Sequence, residues 1–419
     1  MIEINPIRHL DVMVNVPGSK SYTQRSLVIA ALARGTSRLR NILVADDTIY
    51  LMEALRLLGA EICQEGGDLI VTGTDGRIGN PGKDIFVGNN GTALRFLTAL
   101  VSLGTGDYTI TGDPRLCERP VRPLLEALRS LGVSAHGRAA GYPPVRVEAA
   151  GMAGGRVALK NLESSQYVSS LLISAPYAQE DVDIRLEGRA ASQPYIEMTL
   201  EAMQAFGVTV AREENGHYHV PGRQSYQGRD YPVEGDASSA SYFFLAAALC
   251  RGSVTVMSLN PQSRQGDLRL LALMKELGCS VLCGDTWIRV IGHELRKGEY
   301  HFDMGDMPDM VPTMAVLSAF RPGRTVITHV AHLRVKESNR LAALVAELNR
   351  TGIGVQETAD GLIIDGGQPQ GAEIETYRDH RIAMSFAVAG LAVPGMKIKN
   401  SRCVNKSFPG FWDTLDKLA

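Results

Sequence analysis

The chain has 419 residues, 45% of them hydrophobic, which is enough apolar material for two domains of ordinary size. Its 43 Lys and Arg nearly balance 45 Asp and Glu, so no chain-wide field draws it to nucleic acid or an anionic membrane, and any basic site must be local. Apolar runs such as 382–393 are too short to span a bilayer, the opening residues lack the character of a signal peptide, and the six sparse cysteines lack metal-binding spacing; these features predict a reduced, cytoplasmic protein with no metal and no cofactor.

In chain order, Glu3 to Asn5 and Val12 to Val14 read as strands before Pro17-Gly18. A helix that is apolar nearly all round then opens at Ser21, where Ser21 and Gln24 spell a capping box. Five more follow, opening at Asn90-Gly91-Thr92, Ser164-Ser165-Gln166, Asp236, Asp309 and Asp379. A second series runs in step with the first. It consists of amphipathic helices that end in Gly59, Gly132, Gly207, Gly278 and Gly352, roughly 71 to 75 residues apart, each glycine a C-cap followed by two strands.

The repeated unit is therefore strand, buried helix, strand, amphipathic helix, two strands. A sixth amphipathic helix, Phe411 to Leu418, runs to the end of the sequence, and its missing strands are expected from the N-terminal segment. The fold class is α/β, with two similar domains of three βαβαββ units each. Residues 19–234 form one domain; residues 1–18 and 235–419 form the other, with hinge strands near 17–20 and 233–236. Six buried helices in parallel would aim their N-termini the same way within each domain. Two such domains facing each other would close a cleft lined by positively polarised helix ends, which suits anions.

Candidate site residues fall at equivalent points of the repeat. From His332 to Leu341 the sequence sets Lys336 and Arg340 around the first turn of a helix with Ser338 or a neighbour as its N-cap, and Glu337 between them. Cations there cost a few tenths to about 1 kcal/mol unless an anion is bound. A solvated, charged helix end is the plainer reading. Lys20 and Arg25 flank Ser21 near the expected hinge, and Gly18-Ser19-Lys20-Ser21 lacks the glycine order of a phosphate-binding loop. Gly91 permits close backbone approach, Arg119 lies in a basic loop, and Ser164, Ser165 and Gln166 offer hydroxyls and an amide at a helix start. Ser192 and Tyr195 flank the start of another helix, which Lys406 does for the last one, and Asp309 reads first as a cap. Arg381 sits at the mouth of a buried helix, where it needs Asp379 or a bound anion.

On seven stretches in order, the chain resembles the 5-enolpyruvylshikimate-3-phosphate synthases, a family of enolpyruvyl transferases. They are Pro17 to Ser21, Asn90 to Ala93 with Arg95, Glu118-Arg119-Pro120, Glu234 to Ala240, Leu333 to Ser338, Asp379-His380-Arg381 and Lys406 to Pro409. The resemblance covers the chain end to end. It implies the inverse-barrel fold of that family and two small-molecule substrates, shikimate-3-phosphate and phosphoenolpyruvate, with a monomer as the family expectation. By resemblance, Ser164, Ser165, Ser192 and Lys336 would hold the shikimate 3-phosphate, with Ser21 and Arg25 on the carboxylate side. Lys20, Gly91, Arg119, Gln166, Arg340, Arg381 and Lys406 would enclose phosphoenolpyruvate. Asp309 would take the proton of the 5-hydroxyl, and Glu337 would protonate the methylene carbon and later take a proton back. Tyr195 and Asp236 would stand behind them, and His332 would face a substrate hydroxyl.

The sequence departs from that pattern at His332, where many relatives have Asn, and at Asn339, where Asp is common. It departs again at Phe96, where Pro is frequent, and at Asn89-Asn90-Gly91 in place of Asn-Ala-Gly. The nearest rival is the sister enzyme acting on UDP-N-acetylglucosamine, which uses a loop cysteine; Cys117 lies close by but only two residues before Arg119. A rival of another class is a non-catalytic clamp on nucleic acid, which the charge balance opposes.

Overall fold

The periodicity of the sequence corresponds to a strand pattern repeated six times. The computed structural model describes residues 1–139, 141–160, 162–188, 192–213 and 216–418. The first unit runs from β1 (Ile2–Ile4) and β2 (Asp11–Asn15) through α1 (Lys20–Leu32), β3 (Thr36–Arg40), α2 (Asp46–Leu57), β4 (Glu61–Glu65) and β5 (Asp68–Thr72). The second holds β6 (Ile85–Phe86), α3 (Gly91–Leu100), β7 (Thr105–Thr111), α4 (Arg122–Ser130), β8 (Ser134–Arg138) and β9 (Tyr142–Ala150). The third holds β10 (Gly155–Lys160), α5 (Gln166–Ser174), β11 (Val182–Glu187), α6 (Pro194–Ala205), β12 (Ala211–Glu213) and β13 (His217–Val220). The fourth holds β14 (Asp230–Pro232), α7 (Ala237–Leu249), β15 (Ser253–Met257), α8 (Leu270–Glu276), β16 (Ser280–Cys283) and β17 (Trp287–Ile291). The fifth holds β18 (Tyr300–Asp303), α9 (Val311–Ala319), β19 (Gly323–Thr328), α10 (Arg340–Arg350), β20 (Gly354–Glu357) and β21 (Leu362–Gly366). The sixth holds β22 (Glu373–Ile374), α11 (His380–Gly390), β23 (Met396–Ile398) and α12 (Phe411–Asp416).

Each sheet is built the same way. In the second unit β6 lies parallel to β7, β7 is antiparallel to β9, and β8 closes the edge against β9. The third and fifth units repeat this order. In the first and fourth the leading strands are exchanged: β14 pairs in parallel with β3, and β2 pairs in parallel with β15. The expectation that both N-terminal strands complete the sixth unit needs correction. Only β1 goes there, antiparallel to β23. The two edges of β23 are filled by β22 and β1, whereas the parallel edge of β15 is filled by β2 because β14 has gone to β3.

The pairings divide the chain into two compact units, residues 1–19 with 234–419, and residues 20–233. Each has its own apolar core. The helices that read as apolar all round are buried all round; every residue of α9 and of α11 is buried. α7, α9 and α11 pack on one another, and α3 packs on α5. The amphipathic α10 buries one face, through Leu341, Ala343, Leu344 and Leu348. The five predicted capping glycines all adopt the left-handed conformation, at φ of 107, 83, 87, 111 and 84° in chain order. Among the described residues no helix is long and apolar enough to cross a membrane.

Candidate active site

In the unit spanning 20–233 the buried helices join at their first turns. Asn90 caps α3, its Oδ1 accepting from the backbone N–H of Thr92 (3.0 Å) and Ala93 (2.9 Å). Its amide nitrogen donates to Gln24 Oε1 (2.8 Å) and to the Asp47 carbonyl (2.6 Å). Gln166, the first residue of α5, donates to Thr92 Oγ1 at 2.9 Å and accepts from Arg95 Nη1 at 2.9 Å. The expected capping box of Ser21 with Gln24 does not form: α1 starts one residue earlier, at Lys20, and Asn90 engages the Gln24 oxygen. Ser164 Oγ accepts from the N–H of Gln166 at 3.3 Å, and Ser165 is the N-cap with no side-chain cap bond. Ser192 is buried in a left-handed conformation just before α6, and its carbonyl accepts from the Tyr195 N–H.

Four basic side chains gather at this end. Lys20 Nζ lies 3.2 Å from Asp47 Oδ2. Arg25 is fully enclosed and donates to Thr199 Oγ1 (2.8 Å), the Tyr195 carbonyl (2.9 Å), the Ser21 carbonyl (3.0 Å) and Ser169 Oγ (3.4 Å). All four partners are neutral, and the guanidinium also faces the rings of Phe96 and Tyr195 at 5.5 and 5.8 Å. Burial lowers its pKa to about 10, so it remains a cation at neutral pH. Arg95 donates to the Gly91 and Pro120 carbonyls at 2.9 and 3.1 Å. Arg119 is buried against the start of α3, so close that a Cβ at Gly91 would lie 2.6 Å from its Cζ. Gly91 is what lets this guanidinium sit at a positively polarised helix end.

In the other unit, the first turns of α7, α10 and α11 meet the short turn Pro308–Met310 that leads into α9. Arg340, the first residue of α10, touches three carboxylates. Its Nη1 donates to Asp309 Oδ1, its Nη2 to Glu337 Oε2 and its Nε to Asp379 Oδ2, each at 2.8 Å. Arg381 donates from Nη2 to Asp309 Oδ2 at 2.7 Å and to Ser238 Oγ at 3.3 Å, and from Nη1 to the Tyr242 hydroxyl at 3.4 Å. Burial works against the charge on Arg340, but Asp379, Glu337 and Asp309 outweigh it and raise the pKa above the ordinary arginine value. Burial likewise pushes Asp309 up, yet Arg381, Arg340 and Lys336 together hold it well below the usual carboxylate range. His332 stands in the turn Ala331–Val335; burial, then Lys336, pushes it down to about 3, so it is neutral, and its buried Nε2 has no hydrogen-bond partner among the described residues.

Several expectations change in detail. Asp309 is not a cap, because its carboxylate turns to the two arginines. The N-cap of α10 falls where expected, on the neighbour of Ser338: Asn339 accepts from the Ala342 N–H at 3.3 Å, while Ser338 donates to Asp379 at 2.9 Å. Asp379 caps α11 by accepting from the Arg381 backbone N–H at 3.0 Å, leaving the Arg381 guanidinium to Asp309. Lys406 is buried at the end of the turn Ser401–Lys406 and does not open α12, which begins at Phe411. Asp236 caps α7, accepting from the Ser239 N–H and hydroxyl at 3.0 and 2.7 Å.

Sequence reasoning gave no role to Asp47, Arg95, Ser238 or Tyr242. Arg95 lay inside a quoted motif, but a residue on an apolar helix shows its partner only once Gln166 is beside it. Asp47 lies in the first turn of α2, and nothing in the sequence ties it to Lys20.

Comparison with known proteins follows the same lines. The family described as EPSP synthase (3-phosphoshikimate 1-carboxyvinyltransferase) matches residues 4–415. A 3-phosphoshikimate 1-carboxyvinyltransferase of Syntrophobacter fumaroxidans is 43% identical over 419 residues, 99% of either chain. Its counterpart in Trichormus variabilis is 42% identical over 414 residues, 98% of this chain and 97% of the relative. The solved structure of EPSP synthase from Acinetobacter baumannii superimposes with a TM-score of 0.81 at 27% identity, over 100% of this chain and 98% of that one.

Proposed function

The chain belongs to the EPSP synthase family, and from that premise we infer that it transfers the enolpyruvyl group of phosphoenolpyruvate to the 5-hydroxyl of shikimate-3-phosphate, releasing phosphate. It is a transferase of the shikimate pathway of aromatic amino-acid biosynthesis. The observation that best supports the chemistry is the wiring of Asp309 and Glu337 to one guanidinium, that of Arg340, with Arg381 on the far oxygen of Asp309.

In this reading Ser164, Ser165, Gln166, Ser192 and Lys336 bind the shikimate phosphate. Arg25, a buried cation whose partners among the described residues are neutral, takes the shikimate carboxylate with Ser21, and Tyr195 lines that side. His332 presents a neutral ring to a hydroxyl. Lys20, Gly91, Arg119, Gln166, Arg340, Arg381 and Lys406 bind phosphoenolpyruvate, with its phosphate and carboxylate spread over them.

The proton movements follow from the charges. Asp309 is a weak base while two arginines clamp both its oxygens. An incoming carboxylate competes for Arg340 and Arg381, loosens that clamp and raises the basicity of Asp309 when substrate is present. Asp309 then accepts the proton of the 5-hydroxyl as its oxygen bonds to the enol carbon. Glu337 delivers a proton to the methylene carbon, giving a tetrahedral ketal. In the second step the C–O bond to phosphate breaks, the departing phosphate carries off the proton that Asp309 had accepted, Glu337 takes a methyl proton back, and the enol ether forms. Fixed cations stabilise the charge as it moves between carboxylate, ketal and departing phosphate.

Phosphate release with shikimate-3-phosphate and phosphoenolpyruvate, set against UDP-N-acetylglucosamine as acceptor, tests this directly. Release only with shikimate-3-phosphate, abolished in Lys20→Met and in Glu337→Ala without loss of fold, is expected. Normal turnover in either variant, or turnover only with the nucleotide sugar, overturns the assignment. The same reading takes the protein as a cytoplasmic monomer, in keeping with its free thiols; size-exclusion chromatography with light scattering checks the mass.

A further inference from the structure

One buried acid near these residues has no part in the mechanism above. Asp267 is 5% exposed and lies in the short turn Gly266–Arg269, just before α8. The turn is fastened to the mouth of α7 by its neighbour Gln265, whose Oε1 accepts from the Ala237 N–H at 3.0 Å and whose Nε2 donates to the Gly235 carbonyl at 2.8 Å. So held, Asp267 Oδ2 accepts the hydroxyl proton of Ser238. With its one proton used there, Ser238 Oγ turns its lone pairs outward and accepts from Arg381 Nη2 at 3.3 Å. That same nitrogen donates to Asp309.

We propose that Asp267 is a positioning residue for the transfer reaction: through Ser238 it sets where the Arg381 guanidinium sits, and thereby how firmly Arg381 grips Asp309. The proposal rests on the transferase reading given above. Among the described residues, Asp309, Arg381 and Asp236 are charged groups that face Asp267. Burial and then Asp309 raise its pKa to about 7, with Arg381 and the Ser238 hydroxyl pulling the other way. When ionised, Asp267 fixes the Ser238 proton toward itself. When protonated, it donates to Ser238 instead, and the serine proton is freed to swing toward the Arg381 cation, which weakens that contact. Turnover should therefore fall as the pH drops through neutrality.

The test measures kcat and KM against pH in the full chain and in Asp267→Asn, Ser238→Ala and the double variant. At about pH 8 each single variant is expected to lose about ten-fold in kcat, with KM for shikimate-3-phosphate changed less than about two-fold. The double variant should lose no more than either single one, and the fall in turnover near neutrality should vanish in Asp267→Asn. A second measurement does not depend on activity. Because the pKa of Asp267 is raised, its ionised form destabilises the fold, fully above the folded value of about 7 and not at all below the unfolded value of 3.8. The melting temperature of Asp267→Asn should thus exceed that of the parent above neutrality, by a margin that shrinks as pH falls from about 7 to about 4. Additive losses, an unchanged neutral limb in Asp267→Asn, or a margin independent of pH would each overturn the proposal. If the parent chain itself released no phosphate, the transferase reading would fail, and the melting series would still report on Asp267.

Discussion

Arg340 is buried at the positive end of a helix, a position that penalises a cation twice, and it is stable there because three carboxylates converge on it. The sequence displays the penalty, since Lys336 and Arg340 bracket a helix start, and it leads to the expectation of an anion. It does not display Asp309 and Asp379, which arrive from 31 and 39 residues away in the chain. His332 is a second residue whose state is set by its surroundings. Held neutral in the fold at a pKa of about 3 against an ordinary 6.5, it binds its proton more tightly once the chain unfolds. It therefore withdraws stability as pH falls from about 6.5 toward about 3 and has no such effect above that window. Replacing it by Asn, which does not titrate, should flatten that part of the acid limb in melting curves recorded across the window. An acid limb identical in His332→Asn would show that the ring does not sit where burial and Lys336 keep it neutral.

At the scale of elements, the buried helices put their first turns to two uses, capping and charge placement. Asn90 caps α3 and also ties α1 and α2 to it, through Gln24 and the Asp47 carbonyl. The Asn-Gly pair was legible as a helix start; the cross-links were not, because they depend on which helices become neighbours. Gly91 gives the sharpest test. A Cβ there would push into the Arg119 guanidinium, the far end of a flexible side chain, so the fold should survive and the cation should move. Gly91→Ala is expected to keep its melting temperature within a few degrees while raising KM for phosphoenolpyruvate about ten-fold, with KM for shikimate-3-phosphate changed much less. Steady-state kinetics with each substrate varied in turn would read this, and equal changes in the two constants would argue against Arg119 as a phosphoenolpyruvate ligand.

At the scale of the whole molecule, the exchanged strands decide what folds alone. Residues 20–233 contain every strand of their three sheets, β14 included, whereas the other unit needs β1 and β2 from the N-terminal segment. A fragment of residues 20–233 should give a cooperative thermal transition by circular dichroism. A fragment of residues 234–419 should not, because the edges of β15 and β23 would be left without partners; adding residues 1–19 as a peptide or a fusion should restore it. A cooperative transition in 234–419 alone would mean that the exchanged strands do not hold that unit together.

The sequence by itself determined the repeat, the alternation of buried and amphipathic helices, the α/β class and the family, because apolar periodicity, glycine caps and helix-start residues are local properties that survive in one dimension. It also placed most charged candidates at the first turns of helices. Only the tertiary structure decided which carboxylate answers which cation: Asp47 for Lys20, and Asp309, Glu337 and Asp379 together for Arg340. It alone sent β2 to the fourth sheet and brought Asp267 under Ser238. Charge pairing and strand exchange are contacts between distant parts of the chain, and their energies depend on burial and distance, which no local pattern records.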